Sequence, residues 1–206
     1  MKTFEDFMQE CPLIAVLRGI TPGEVENVAD ALYEGGIRVL EIPLNSPDVF
    51  SSLERLNAHA GERFIAGAGT VLSVDDVEKV HAAGCRFVVS PNTDEDVIAR
   101  TKELGMTSIP GFFTATEGFR AIRAGADYLK FFPAGPAGAS FIKDLKAVIK
   151  KPILAVAGVD ESNLLSFRKV CAGVGIGGCF YTPGKDPSAI REDCRRFVAV
   201  WNQKES

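Results

Sequence analysis

Residues 13–44 read LIAVLRGITPGEVENVADALYEGGIRVLEIPL, two short apolar runs on either side of a segment with helical periodicity. Leu13 to Arg18 and Val39 to Leu44 are nearly unbroken in apolar residues, as parallel strands buried on both faces are. Between them Val25, Val28, Ala29 and Leu32 recur at the i, i+3, i+4, i+7 spacing of one helix face. Thr21, Pro22 and Glu24 precede that stripe as a capping-box signature with proline at the first helical position. The stretch is a strand, a helix and a second strand.

The same unit repeats to the end of the chain. Further apolar segments lie at Phe64 to Val71, Phe87 to Pro91, Thr107 to Gly111, Tyr128 to Pro133, Ile153 to Gly158 and Gly173 to Gly178, with successive starts 20 to 26 residues apart. Helix starts are legible at Ser46-Pro47, at Ser73 with Asp76, at Thr114 with Glu117 and at Asp160, while Gly105 and Gly125 fit helix ends. Phe141, Leu145, Val148 and Ile149 form a stripe after Ser140 without a sharp start signal. The last helix follows Asp186 and Pro187 and carries Ile190, Cys194, Phe197, Val198 and Trp201 on one face. Eight regular βα units predict an α/β fold, a (β/α)8 TIM barrel occupying residues 1–206 as a single domain, preceded by a short N-terminal helix near Phe4 to Met8. An open doubly wound sheet is the competing topology, and LRGITPGE after the first strand lacks its Gly-rich dinucleotide fingerprint.

Composition narrows the function. The 206 residues are 46% hydrophobic and 24% charged, ordinary globular proportions. The net charge of −4, with no basic run, makes nucleic acid an unsuitable partner. Five cysteines, odd in number and never at C-x-x-C spacing, point to free thiols in a reducing compartment, and the opening MKTFEDFMQE has no signal-peptide core, so the reading is cytoplasmic. No apolar run is long enough to span a membrane. His59 and His81 fall in separate helical segments without further ligands at metal-binding spacing, so they read as surface or packing residues, and neither a metal nor a cofactor is expected.

In a (β/α)8 barrel the active site forms at the carboxyl ends of the strands. Arg18, Glu41, Thr70 and Lys130 stand on or just after such ends. Lys130, inside Tyr-Leu-Lys-Phe-Phe-Pro, has the most apolar setting of any lysine in the chain. Desolvation lowers a lysine pKa and exposes a neutral amine able to form a Schiff base with a ketone; the plainer alternative is a lysine that snorkels to the rim or pairs with a carboxylate. Glu41 is the one carboxylate within a predicted strand, where burial raises its pKa and suits it to moving protons, or where it forms a structural ion pair with Lys130 or Arg18. Arg18 presents a fork suited to a carboxylate or phosphate and serves equally as a rim salt bridge. Gly67 and Gly69 beside Thr70 would let backbone amides approach a ligand. Gly158 and the glycines at 173, 175, 177 and 178 mark the last two strand ends, where this fold often binds phosphate; tight turns and packing explain glycine there equally well. The cysteines read as small core hydrophobes, with Cys179 alone in a loop near the site.

LRGITP, EIPLNSP, GAGTVL, SPN, PG and LKFFPA, in this order and with the late glycines, closely resemble the 2-keto-3-deoxy-6-phosphogluconate/phosphogalactonate aldolases over essentially the whole chain. The resemblance implies a class I, metal-independent aldolase of (β/α)8 fold, usually a homotrimer. Such an enzyme cleaves a phosphorylated 2-keto-3-deoxy sugar acid to pyruvate and glyceraldehyde 3-phosphate. By position, Lys130 would be the Schiff-base lysine and Glu41 the general acid/base. Arg18 and Thr70 would bind substrate, Thr70 near the pyruvate carboxylate, and Gly158, Gly177 and Gly178 would cradle the phosphate.

Gluconate-type members tend to carry an arginine shortly after the catalytic glutamate and a Thr-Gly-Gly at the seventh strand. Here Asn45 follows Glu41-Ile42-Pro43-Leu44, and Val156-Ala157-Gly158 stands at the seventh strand, which leans to the galactonate branch. Ala157 replaces the first glycine of the usual pair, and Gly178 with Cys179 stands where relatives often have serine. Pro43, Val156 and Pro91 of the SPN motif are further candidate lining residues. The alternatives are a 4-hydroxy-2-oxoglutarate or other pyruvate aldolase, a phosphosugar isomerase or epimerase acting without a covalent intermediate, and a non-catalytic phosphosugar-binding barrel.

Overall fold

The computed structural model describes residues 2–203. The described residues form nine strands and nine helices, alternating except where Thr107–Ile109 is followed directly by Gly111–Phe112. The strands are β1 (Leu13–Val16), β2 (Val39–Pro43), β3 (Ile65–Gly69), β4 (Phe87–Val89), β5 (Thr107–Ile109), β6 (Gly111–Phe112), β7 (Leu129–Phe131), β8 (Ile153–Val156) and β9 (Gly173–Ile176). Helix α1 (Phe4–Glu10) precedes them. The others are α2 (Val25–Glu34), α3 (Val49–Ala60), α4 (Val74–Ala82), α5 (Glu95–Glu103), α6 (Ala115–Arg123), α7 (Ala134–Leu145), α8 (Leu164–Arg168) and α9 (Pro187–Trp201).

All strand pairs are parallel, in the order β5-β4-β3-β2-β1-β9-β8-β7-β6. β5 and β6 are two pieces of the predicted fifth strand, broken at Pro110, which has no N–H to give a ladder. Thr107 to Ile109 pairs with β4, and Gly111 and Phe112 pair with β7. The ring therefore closes through one interrupted strand, and the fold is the expected (β/α)8 barrel.

Alternation sets what faces the barrel axis. Ile14, Val39, Ile65, Phe87, Ile109 and Leu154 form one inner layer, plugged from below by Phe4, Phe7 and Met8 of α1. That helix is held by a capping box between Thr3 and Asp6. Two residues further along its strand, Glu41 faces the same axis as Val39, one layer nearer the carboxyl ends. The larger cluster lies between the outer face of the sheet and the helices, where Val25, Val28, Ala29 and Leu32 are all buried.

Several local expectations need correction. α2 begins at Val25, not at Pro22: Thr21 donates its N–H to the Glu24 carboxylate at 3.2 Å, but no Thr21 hydroxyl cap closes the box. Before α3, Asp48 takes a left-handed conformation at φ 42°, so the helix starts at Val49, after Ser46-Pro47. In the 141–149 segment Leu145 and Ile149 pack inward as read, but Phe141 and Val148 are exposed and Ile142 takes the buried place. The Ser73 cap, the Thr114–Glu117 capping box and the Asp186 cap with Pro187 at the start of α9 form as read.

Candidate active site

Lys130 sits in the middle of β7, in register with Gly111 of β6 and Leu154 of β8. Glu41 sits in β2, opposite Val16 of β1 and Gly67 of β3. Both are buried, 6% and 4% exposed, though they come from opposite sides of the sheet order. Burial alone would discharge each. It pulls the Lys130 amine below its ordinary value, with Glu41 opposing and Arg18 adding to the fall. It pushes the Glu41 carboxyl up, against the opposing pull of Lys130 and Arg18. Among the described residues, Ser52 Oγ is the sole fully buried side-chain polar atom lacking a hydrogen-bond partner. Among the described residues the Glu41 and Lys130 heads have no hydrogen-bond partner, and neither is fully sealed from solvent. The result is an amine with accessible neutral form and a carboxyl able to take or give a proton, both desolvated and neither locked in a salt bridge. The Phe132 ring centroid lies 4.8 Å from Lys130 Nζ, a contact that sequence reading took only as apolar context.

The glycines of β3 serve another purpose than the backbone approach expected of them. A Cβ on Gly69 would lie 1.7 Å from Glu41 Oε1, and one on Gly67 would lie 2.5 Å from the Phe87 carbonyl oxygen. Gly69 is the space into which the Glu41 side chain folds, and Gly67 admits β4. Thr70, half-buried beyond the strand end, is held at φ 56°. Left-handed backbone at a β-branched residue costs about 1–2 kcal/mol and is commonest where function over-determines the conformation.

Arg18 lies two residues past β1, exposed at the rim, and donates to Asn45 Oδ1 at 2.6 Å. The neighbouring Gly19 N–H donates to the buried Ser46 hydroxyl at 3.0 Å. Pro43 is buried at the end of β2. Pro91 packs its carbonyl where a Cβ on Gly111 would come within 2.3 Å, so its visible work is closing the barrel at the broken fifth strand.

At the far side of the mouth, Ala157 and Gly158 follow β8 with φ 72° and 74°, and Val156 and Ala157 are half-buried. Gly158 crosses the start of α7 so closely that a Cβ would fall 2.8 Å from Gly135 Cα, and Gly135 donates to the Ala157 carbonyl at 2.8 Å. Gly173 and Gly175 are packing glycines against Met8 and Val156. Gly177 and Gly178 differ: a Cβ on Gly178 would meet nothing within 4 Å, and one on Gly177 only Val16 at 4.0 Å. Among the described residues the Gly178 and Cys179 N–H groups have no carbonyl partner, leaving donors free at the mouth. Cys179 is half-buried with its thiol pushed up by burial, so it stays protonated, and the other four cysteines are buried free thiols. The structure also reveals a long-range tie that sequence reading missed: the Tyr181 hydroxyl donates to the Glu24 carboxylate, joining the β9–α9 loop to the start of α2.

His59 Nε2 donates to Asp30 Oδ1, 2.7 Å away, and His81 is exposed on α4. Among the described residues no group of three or more His, Cys, Asp or Glu side chains is placed to hold a metal ion. No helix there is long and apolar enough to cross a membrane.

A buried amine and carboxyl sharing one barrel mouth with an exposed guanidinium and free backbone amides is an arrangement for covalent chemistry on an anionic carbonyl compound. The family described as KDPG and KHG aldolase matches residues 4–194. The chain belongs to that family. It is 40% identical to the 2-dehydro-3-deoxy-6-phosphogalactonate aldolase of Escherichia coli strain K12, across 93% of this chain and 95% of that protein. It is 43% identical to a probable 2-dehydro-3-deoxy-6-phosphogalactonate aldolase of Rhizobium meliloti strain 1021, across 94% and 92%. A solved structure described as native KDPGal superposes with a TM-score of 0.91 at 39% identity, covering 93% of this chain and 95% of that one. The protein is thus an aldolase, a carbon–carbon lyase, as the motifs implied.

Proposed function

We propose that this aldolase cleaves 2-dehydro-3-deoxy-6-phosphogalactonate, or its gluconate epimer, to pyruvate and D-glyceraldehyde 3-phosphate through a Schiff base on Lys130. The observation that carries the reading is the pair of desolvated, unlocked groups, Lys130 with its pKa lowered and Glu41 with its pKa raised. The neutral Lys130 amine attacks the C2 ketone and water leaves, giving a protonated imine. Glu41 takes the C4 hydroxyl proton as the C3–C4 bond breaks; the bonding pair moves onto C3 as an enamine, with the imine nitrogen as electron sink. Glyceraldehyde 3-phosphate departs, a proton returns to C3, and water hydrolyses the imine to pyruvate and free lysine.

Arg18 and Thr70 bind the pyruvate end, and the free amides at Gly178 and Cys179, with Gly177 and Gly158, receive the phosphate. Pro43, Val156 and Ala157 line the region between. The galactonate preference is supported by the relatives' names and by Asn45 standing where gluconate-type motifs carry arginine. We further read residues 1–206 as one cytoplasmic barrel domain that assembles as a homotrimer, an assembly favoured by the exposed rings of Phe113 and Phe141, stacked with centroids 5.4 Å apart.

Borohydride reduction in the presence of pyruvate tests the core of this reading. A reduced pyruvyl adduct mapped to Lys130 is the expected result; no adduct on intact protein, or one on another lysine, overturns it. Comparing kcat/KM for the two C4 epimers, each with and without phosphate, tests the substrate.

A further inference from the structure

Most arginines on this barrel are neutralised: Arg55 by Glu26, Arg63 by Asp30, Arg120 by Glu95 and Arg191 by Glu34. Arg18 is not. Among the described residues its side chain has one hydrogen-bond partner, the neutral amide of Asn45, and no carboxylate at salt-bridge distance. Its charge is nonetheless close enough to act on both Glu41 and Lys130.

Asn45 is itself fixed on both sides. Leu44 donates its N–H to the Gly69 carbonyl at 2.8 Å, and the Ser46 N–H bonds to the Pro43 carbonyl at 3.0 Å. Ser46 in turn accepts the Gly19 N–H. Two parallel ties, Arg18 to Asn45 and Gly19 to Ser46, thus join the loop after β1 to the loop after β2, directly above Glu41.

We infer that Asn45 is a positioning residue: its side-chain carbonyl holds the Arg18 guanidinium at the barrel mouth without cancelling its charge, so that the remaining N–H donors take the carboxylate of the keto acid. The inference rests on the Schiff-base reading above. A guanidinium has five donors in a rigid fork. One occupied by a neutral acceptor orients the group, whereas a carboxylate in the same place would satisfy and neutralise it. The amide is the side chain of this size that orients without competing with an anionic ligand.

The test compares Asn45→Asp with Asn45→Ala, using the pyruvate concentration that half-saturates borohydride trapping on Lys130, with KM and kcat. Asn45→Asp keeps the acceptor and strengthens its bond to Arg18. Were Asn45 only a structural acceptor, this variant would match the wild type and surpass Asn45→Ala. The inference demands the opposite order. Asn45→Ala raises half-saturation and KM several-fold by letting Arg18 wander. Asn45→Asp raises both by about tenfold or more, the size of a lost hydrogen bond to a charged group, with kcat changing far less in each. The rise is equal for phosphorylated and unphosphorylated substrates, because the effect lies at the carboxylate end. Unchanged half-saturation in both variants, an Asp variant tighter than the Ala variant, or a loss confined to phosphorylated substrate overturns the assignment. Wild-type protein that traps no pyruvate at all is a separate result, which removes the Schiff-base reading and this inference with it.

Discussion

Replacing Gly69 by alanine is the sharpest single perturbation the structure offers. The added Cβ would stand 1.7 Å from Glu41 Oε1, 2.5 Å from its carboxyl carbon and 2.9 Å from Cγ. All three contacts are to one side chain, and that side chain ends in the open mouth, so Glu41 relieves the clash by swinging away and the sheet need not separate. The carboxyl has to move by roughly 1 Å or more, a misplacement that can cost about 10²-fold in rate, and complete loss of its proton transfer costs about 10²- to 10⁴-fold. Gly69→Ala is therefore expected to lower kcat by two orders of magnitude or more. Residual overpacking removes about 1–3 kcal/mol of stability, read from the urea midpoint. Pyruvate trapping on Lys130 should survive, because the lysine comes from β7 on the other side of the barrel. A double-mutant cycle isolates the contact. In a Glu41→Ala background the clash is gone, so adding Gly69→Ala should cost little further activity or stability. A Gly69→Ala enzyme that turns over at the wild-type rate, or a full stability penalty persisting in the Glu41→Ala background, refutes the argument that Gly69 exists to house the carboxylate.

Three other outcomes follow from the geometry. Burial holds Glu41 above its ordinary 4.5, so the folded chain binds more protons than the unfolded one above that value, and stability falls as pH rises toward the raised pKa. Lys130 lies below its ordinary 10.5, so the unfolded chain binds more protons there, and stability rises with pH between the lowered value and 10.5. Urea midpoints across pH should show Glu41→Gln flattening the first slope and Lys130→Met the second, while unaltered slopes would contradict the burial. Ala157→Gly relieves a left-handed alanine at φ 72°; set against the greater freedom of glycine in the unfolded chain, the gain is about 0.5–1 kcal/mol by chemical denaturation, and a loss of stability would show the conformation to be unstrained. Gly158→Ala drives a Cβ against Gly135 Cα at 2.8 Å from a backbone at φ 74°, costing about 2 kcal/mol or more, whereas Gly178→Ala enters open space and should leave thermal stability within about 0.5 kcal/mol. Equal losses in the two variants would remove the distinction between a packing glycine and a mouth glycine.

The misreadings are as informative as the matches. Thr21-Pro22-Glu24 has the residues of a helix start, but the Glu24 carboxylate also serves Tyr181, a partner 157 residues away, and the helix waits until Val25. In FIKDLKAVIK Phe141 and Ile142 each satisfy the helical period with the residues that follow, and only the sheet against which α7 packs decides that Ile142 is the buried one. Gly67 and Gly69 carried the same letter and the same proposed use, yet one admits Phe87 and the other houses Glu41.

The sequence by itself determined the barrel, because eight apolar runs at a regular spacing, alternating with helical stripes, can bury both faces of every strand in few other ways. It also determined which ionisable residues stood out, since an isolated Lys130 or Glu41 in an apolar strand is visible without coordinates. Tertiary structure alone decided that these two share one mouth without an ion pair between them, that Gly69 vacates the space one of them occupies, and that Arg18 meets an amide and, among the described residues, no acid. Those facts depend on closing the ring, which brings residues from strands far apart in the chain to within a few ångströms, and such distances leave no mark on local pattern.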